Sequence, residues 1–129
     1  AGFSSTFRLP IEDIVDGFER LIATAQHDPN VDLTVVEIAD GLLQKETARL
    51  VASDTFRQQV DHVLFAAGEA MGALAGVKRL SRLGIETTAL TGRLTASRLA
   101  CRDARRATRL PILTKAKLEA PRVATLIGS

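Results

Sequence analysis

The stretch LTVVEIADGLLQKETARL, residues 33–50, decides how the rest of the chain is read. A run of β-branched and apolar residues meets an acid at Glu37, then Asp40 and Gly41, and a helical pattern follows at once. Val, Ile and Thr favour extended backbone. The apolar positions of LTVV do not alternate with polar ones, as expected of a strand buried on both faces of a parallel sheet. VDLTVVEIA, residues 31–39, is therefore expected to be a strand, with its carboxyl end at Glu37–Gly41.

Working outward, the same switch from strand to helix recurs. Upstream, Ile11, Ile14, Val15, Phe18, Leu21, Ile22 and Ala25 form one continuous apolar stripe of a helix. Pro10 suits its first position, and Pro29 stops it. Downstream, residues 42–51 read as helix, Ser53 and Asp54 can cap the short helix TFRQQV, and DHVLFAAG reads as a second strand ending at Gly68. EAMGALAGVKRLSRLG follows as a helix with Met71, Leu74, Ala75, Val77, Leu80 and Leu83 inward, and with Gly72, Ala73 and Gly76 allowing close approach to a sheet. IETTALTG is a third strand, LTASRLACRDARRATR a third crossover helix, LPILT a short fourth strand, and KAKLEAPRVATLIG a weaker tail. Alternating strands and helices imply βαβ crossovers and a parallel sheet. The expected fold is a three-layer, Rossmann-like α/β sheet of about four strands with flanking helices, in one domain over residues 1–129.

Composition narrows the function classes. The 129 residues are 46% apolar, with five Phe and no Trp or Tyr, which suits an α/β core and disfavours single-stranded nucleic-acid binding by base stacking. One cysteine, Cys101, excludes an internal disulfide framework and a cysteine-rich zinc site, and fits a cytoplasmic protein. No apolar run reaches the ~20 residues that span a bilayer, and no signal peptide opens the sequence. Charge is lopsided: residues 1–92 carry 8 Lys+Arg against 13 Asp+Glu, and residues 93–129 carry 9 against 2.

In open parallel sheets, ligands bind beyond the carboxyl ends of the strands. Glu37, Asp40, Glu69, Thr91, Arg93, Thr95, Thr114 and Lys115 fall at those ends. Glu37 and Asp40 are the candidate Mg²⁺ ligands, since Mg²⁺ takes one or two carboxylates and keeps several waters. Asp40 can equally cap the helix that follows, and Glu69 can be a first-turn acid favoured by the helix dipole. Thr91, Gly92, Arg93 and Thr95 are the candidate phosphate contacts, with a turn and helix cap as the alternative. Arg98, Arg102, Arg105 and Arg109 recur at helical spacing and form either a partner surface or a solvated face. His27 and His62 sit away from the carboxyl ends, and Cys101 has no base beside it in the pattern. No G-x-x-x-x-G-K-[ST], G-x-G-x-x-G or G-x-S-x-G occurs.

VVEIADGLL and VLFAAGEAMGALAGVKRL resemble elements of P-loop nucleotide-binding proteins of the dethiobiotin synthetase branch. The chain is still more similar to an uncharacterised bacterial family with a P-loop domain of that type, over roughly residues 1–115 and most specifically at EIADGLLQ. The resemblance implies a P-loop-type fold, Mg²⁺ with ATP or GTP as cofactors, and ligase or phosphoryl-transfer chemistry, with Glu37 at the position of the metal-holding acid. It also implies that the phosphate loop precedes Ala1, so that residues 1–129 form the C-terminal part of such a domain and bind no nucleotide tightly alone. A homo-oligomer or the missing N-terminal segment is then the expected partner. The alternatives are a non-catalytic binding or assembly module on a Rossmann-like scaffold and a receiver-like signalling domain using Asp40, Thr91 and Lys115.

Overall fold

The computed structural model describes residues 8–119. It is a mixed α/β chain that divides into two compact units, Ala1–Asp61 and His62–Ser129.

The first unit is helical. Helix α1, Ile11–Gln26, starts after Pro10 and carries Glu12 and Asp13 in its first turn, where carboxylates complement the positive end of the helix dipole. It buries Ile14, Phe18 and Ile22 from the stripe read in the sequence, whereas Leu21 is half exposed. Helix α2, Lys45–Val51, adds Leu50 and Val51 to this core. Helix α3, Asp54–Gln59, is capped as expected, the Phe56 N–H donating to Ser53 Oγ at 3.2 Å. It brings Phe56 against Phe18, ring centroids 5.6 Å apart.

The expected strand at residues 31–39 departs from this pattern. Those residues belong to no ladder, and the backbone of residues 32–40 makes no hydrogen bond among the described residues. Val35 is 82% exposed and Leu33 50%. β-Branched side chains bias φ and ψ, but a strand also needs a neighbour to take its N–H and C=O groups, and none of the described residues does so. The following helix begins at Lys45 rather than Leu42, after a turn closed by Gln44 N–H on the Gly41 carbonyl at 2.9 Å.

The second unit is a βαβ unit. Strand β1, Leu64–Ala66, pairs in parallel with β2, Ala89–Thr91, in the register Leu64↔Ala89, Phe65↔Leu90 and Ala66↔Thr91. Helix α4, Ala70–Arg82, makes the crossover. A single parallel bridge, Leu90↔Ile112, is all that forms of the expected fourth strand. The ladder described is therefore two strands and a bridge, not the four strands expected. Helix α5, Arg98–Thr108, precedes that bridge, and a short turn of helix, α6, Lys115–Leu118, follows it. The remainder of the expected tail, from residue 120, lies outside the described residues.

Ala67, Ala73, Leu90, Leu94, Ala104 and Ile112 form the core of this unit. The α4 reading holds at Leu80, which is buried, and fails at Met71, which is 69% exposed, and at Ala75, which is exposed too. Met71 lies in the first turn, where its backbone N–H is taken up by the Glu69 cap. Gly76 allows the close approach its size suggested, because a Cβ there would fall 2.1 Å from Phe65 Cε1. The Gly76→Ala variant is expected to lose about 1–3 kcal/mol by overpacking. In urea denaturation its midpoint falls at unchanged slope, and Phe65→Leu in the same chain recovers part of the loss.

Candidate functional site

The carboxyl ends of β1 and β2 are joined by a backbone weave. Ala67 N–H donates to the Thr91 carbonyl at 3.0 Å, and Leu94 N–H donates to the Ala67 carbonyl at 2.9 Å. Gly92 sits over this crossing with φ +93°, and a Cβ on it would lie 2.8 Å from Ala67 N and 2.9 Å from Ala67 O. Both the left-handed φ and the lack of space require glycine.

The hydroxyls predicted to meet phosphate are engaged in this framework. Thr91 Oγ1 donates to the Leu113 carbonyl at 2.8 Å, tying β2 to the segment around Ile112. Thr95 Oγ1 donates to the Gly92 carbonyl at 2.8 Å and closes the 3-10 turn Arg93–Ala96. Glu69 is the N-cap of α4, its carboxylate accepting from the backbone N–H groups of Met71 and Gly72. Thr114 is the N-cap position of α6 without a side-chain cap bond, and Lys115 pairs with Glu119 at 3.6 Å on the surface.

Arg93 is different. It is exposed, and its guanidinium makes no hydrogen bond or ion pair with any described residue. Its Nη2 lies 3.9 Å from where a Cβ on Gly68 would be, so the charge stands over the glycine that ends β1. The weave at Gly92 sets where Arg93 leaves the chain. An exposed guanidinium beside open backbone can accept a phosphate or carboxylate from solution.

Glu37 and Asp40 belong to the first unit. With Asp13 and Glu46 they line a groove of about 310 Å³ whose walls include Ile14, Phe18, Val36 and Leu50. Among the described residues no group of three or more His, Cys, Asp or Glu is placed to hold a metal ion. Asp40 does not cap the next helix, since Gln44 is the residue at that position.

The arginine series lies along α5, where Arg98, Arg102, Arg105 and Arg109 are all exposed. Arg102 pairs with Asp103 at 3.2 Å, and Arg109 ends the helix in the left-handed conformation at φ 62°. Cys101 is half buried with Sγ 3.6 Å from the Leu94 carbonyl. His27 Nδ1 lies 2.6 Å from the Ala23 carbonyl at the end of α1, and His62 Nδ1 lies 3.5 Å from Thr88 Oγ1.

Two features were not anticipated. Ser97, read only as part of a helical segment, is the N-cap of α5 through Ala100 N–H at 3.2 Å. Glu46 accepts the Arg8 backbone N–H at 2.9 Å, and that bond, its own backbone N–H, Lys45 and Arg49 hold its carboxyl below the usual 4.5. The first could have been found from a serine preceding the helix; the second spans 38 residues and left no local trace.

No protein-family model, curated protein or solved structure matches the chain. No helix among the described residues is long and apolar enough to cross a membrane.

Glu69→Ala is expected to cost about 1 kcal/mol through loss of the α4 cap, read by urea denaturation, with an equal cost in Mg²⁺ and in EDTA. A cost that appears only in Mg²⁺ would make Glu69 a metal ligand. For Glu46, the folded pKa lies below the unfolded 4.5, so its stabilisation is complete above pH 4.5 and lost as pH falls through the folded value. Glu46→Gln is therefore expected to be less stable than the parent at pH 7, with the gap closing in melts taken at successively lower pH below 4.5.

Proposed function

We propose that this chain supplies an anion-contacting βαβ edge to a nucleotide-handling α/β protein. The larger architecture in this reading is a Rossmann-like or P-loop-type sheet of about four strands. It has β1, β2 and the segment around Ile112 in its core. The observation that carries the reading is the uncommitted Arg93 guanidinium beside Gly68, at the carboxyl ends of two adjacent parallel strands. Strand carboxyl ends are where open parallel sheets receive their ligands.

Arg93 would neutralise and orient a phosphoryl oxygen of ATP, GTP or an anionic substrate. Gly68, without a side chain, would let that oxygen approach the backbone. Mg²⁺ would enter with the nucleotide, so no step is assigned to Glu37 or Asp40. In phosphoryl transfer, positioning and charge neutralisation account for most of the catalysis, and Arg93 is suited to both. The 129 residues contain no G-x-x-x-x-G-K-[ST] loop. The chain's share of the work in this reading is therefore the edge of the site rather than the triphosphate cradle.

A second reading, a non-catalytic assembly module, is favoured by the apolar residues 31–39, which lack strand partners among the described residues.

Titration calorimetry with pyrophosphate, Mg-ATP and Mg-GTP tests the first reading. Saturable binding is expected, weakened at least about tenfold by Arg93→Ala, which corresponds to about 1.4 kcal/mol. At a hundredfold excess over Kd the ligand should also stabilise the fold by about 2.7 kcal/mol. Absence of saturable binding, or binding indifferent to Arg93→Ala, would overturn it.

A further inference from the structure

The outer face of α5 concentrates charge of one sign within the second unit. Ala104 is buried in the core of that unit, and Ala100 and Cys101 pack against the same core. At about 3.6 residues per turn, Arg98, Arg102, Arg105 and Arg106 fall on the side of the helix opposite Ala104. Arg109 follows as the C-cap, and all five arginines are exposed. Helix α4 packs alongside α5 and adds Lys78, Arg79 and Arg82, exposed as well. Asp103 is the only acid within either helix, and it pairs with Arg102 at 3.2 Å. The other cations of the two helices make no ion pair with any described residue.

Helix stability does not account for this series. Cations near a helix C-terminus complement the dipole, which suits Arg105, Arg106 and Arg109. Arg98 instead opens the helix, at the positive end, where a cation is disfavoured. Arg98 and Arg102, and Arg102 and Arg106, stand at i and i+4, a spacing at which like charges repel. A face that serves solubility alone works with both signs interspersed. This one gathers a single sign against the interest of its own helix.

We propose that the outer face of α5, extended by α4, docks the phosphate backbone of a nucleic-acid duplex without regard to base sequence. Every cation on the α5 face is a guanidinium, whose planar fork matches phosphate oxygens. From Arg98 to Arg106 the helix rises about 12 Å, and a duplex presents about seven phosphate charges over that length. Neither helix holds an Asn, a Gln or an aromatic residue. The face therefore lacks the amides that read adenine edges and the rings on which single strands stack. Leu99 and Met71 are the exposed large apolar side chains of the two helices. That is too little apolar surface to enter a bilayer as an interfacial helix does, or to form the desolvated centre of a protein interface. The surface stands on α5 and α4, and the proposal does not depend on anion binding by Arg93.

Fluorescence anisotropy of the full chain against labelled duplexes of about 20 base pairs, between 50 and 200 mM KCl, tests this. Saturable binding is expected, with log K falling against log salt at a slope of about −4 to −5 if the five arginines of α5 each meet a phosphate. Arg98→Gln with Arg105→Gln is expected to weaken binding about tenfold or more at the lower salt and to make the slope shallower by about 2. Arg98→Lys with Arg105→Lys keeps both charges and should keep the slope. Because the Gln pair removes repulsion, its urea midpoint should equal or exceed the parent's. DNA and RNA duplexes form separate arms; binding to either supports the proposal, and the tighter arm identifies the source. No saturable duplex binding at the lower salt, or a slope unchanged in the Gln pair, would overturn it. So would tighter binding to single strands, phosphatidylserine vesicles or polyglutamate, or a Gln pair that unfolds at lower urea than the parent.

Discussion

The second unit depends on one contact, that of Gly92 with the backbone of Ala67. At φ +93°, with Ala67 N and O inside 3 Å of where a side chain would begin, the chain turns directly over the end of β1. The turn lets Leu94 N–H reach the Ala67 carbonyl and drops the Leu94 side chain, 1% exposed, into the core. Ser97 then follows three residues later and starts α5. Any side chain at position 92 would push the 91–95 turn off β1. Leu94 would leave the core, and α5 would lose its point of entry. The same contact sets Arg93 beside Gly68, so fold and candidate site share a single steric requirement.

That sharing explains why most of the polar groups at the strand ends are unavailable. A polar group at a strand end is first claimed by the backbone, which has N–H and C=O groups to satisfy wherever a ladder stops. Thr91 ties β2 to Leu113, Thr95 closes its own turn, and Glu69 takes the first N–H groups of α4. Arg93 escapes because a guanidinium on a long stem cannot serve a tight turn and is carried outward by it. A ligand reading that credits every polar residue at the rim therefore overcounts. The useful distinction lies between residues whose groups are spent on the chain, such as Thr91, Thr95 and Glu69, and Arg93, whose charge pairs with no described residue.

The βαβ unit was legible because its signals are local. Apolar runs bounded by Gly68 and Gly84, and the small face of α4 at Ala73 and Gly76, can be read within a window of one element. The cap at Ser53 depends on a spacing of three residues that the sequence records, whereas Glu69, read as a first-turn acid, is instead the N-cap of α4. Residues 31–39 were misjudged because strand formation is a relation between two segments, and only one of them is visible in VDLTVVEIA. Propensity is a property of one segment; it could not give a neighbour. The contact between Arg8 and Glu46, like the placing of Arg93 near Gly68, joins residues far apart in sequence that no periodicity connects.

The segment 31–39 also shows how acidic residues can serve two ends at once. A bare apolar edge would pair with any extended chain, itself included, and aggregate. Asp32, Glu37 and Asp40 raise the cost of pairing with copies of the same segment. Glu37 need not hold a metal to have a use at this position. An acid at the end of an apolar strand is equally a device of selection, which sets which second strand the first will accept.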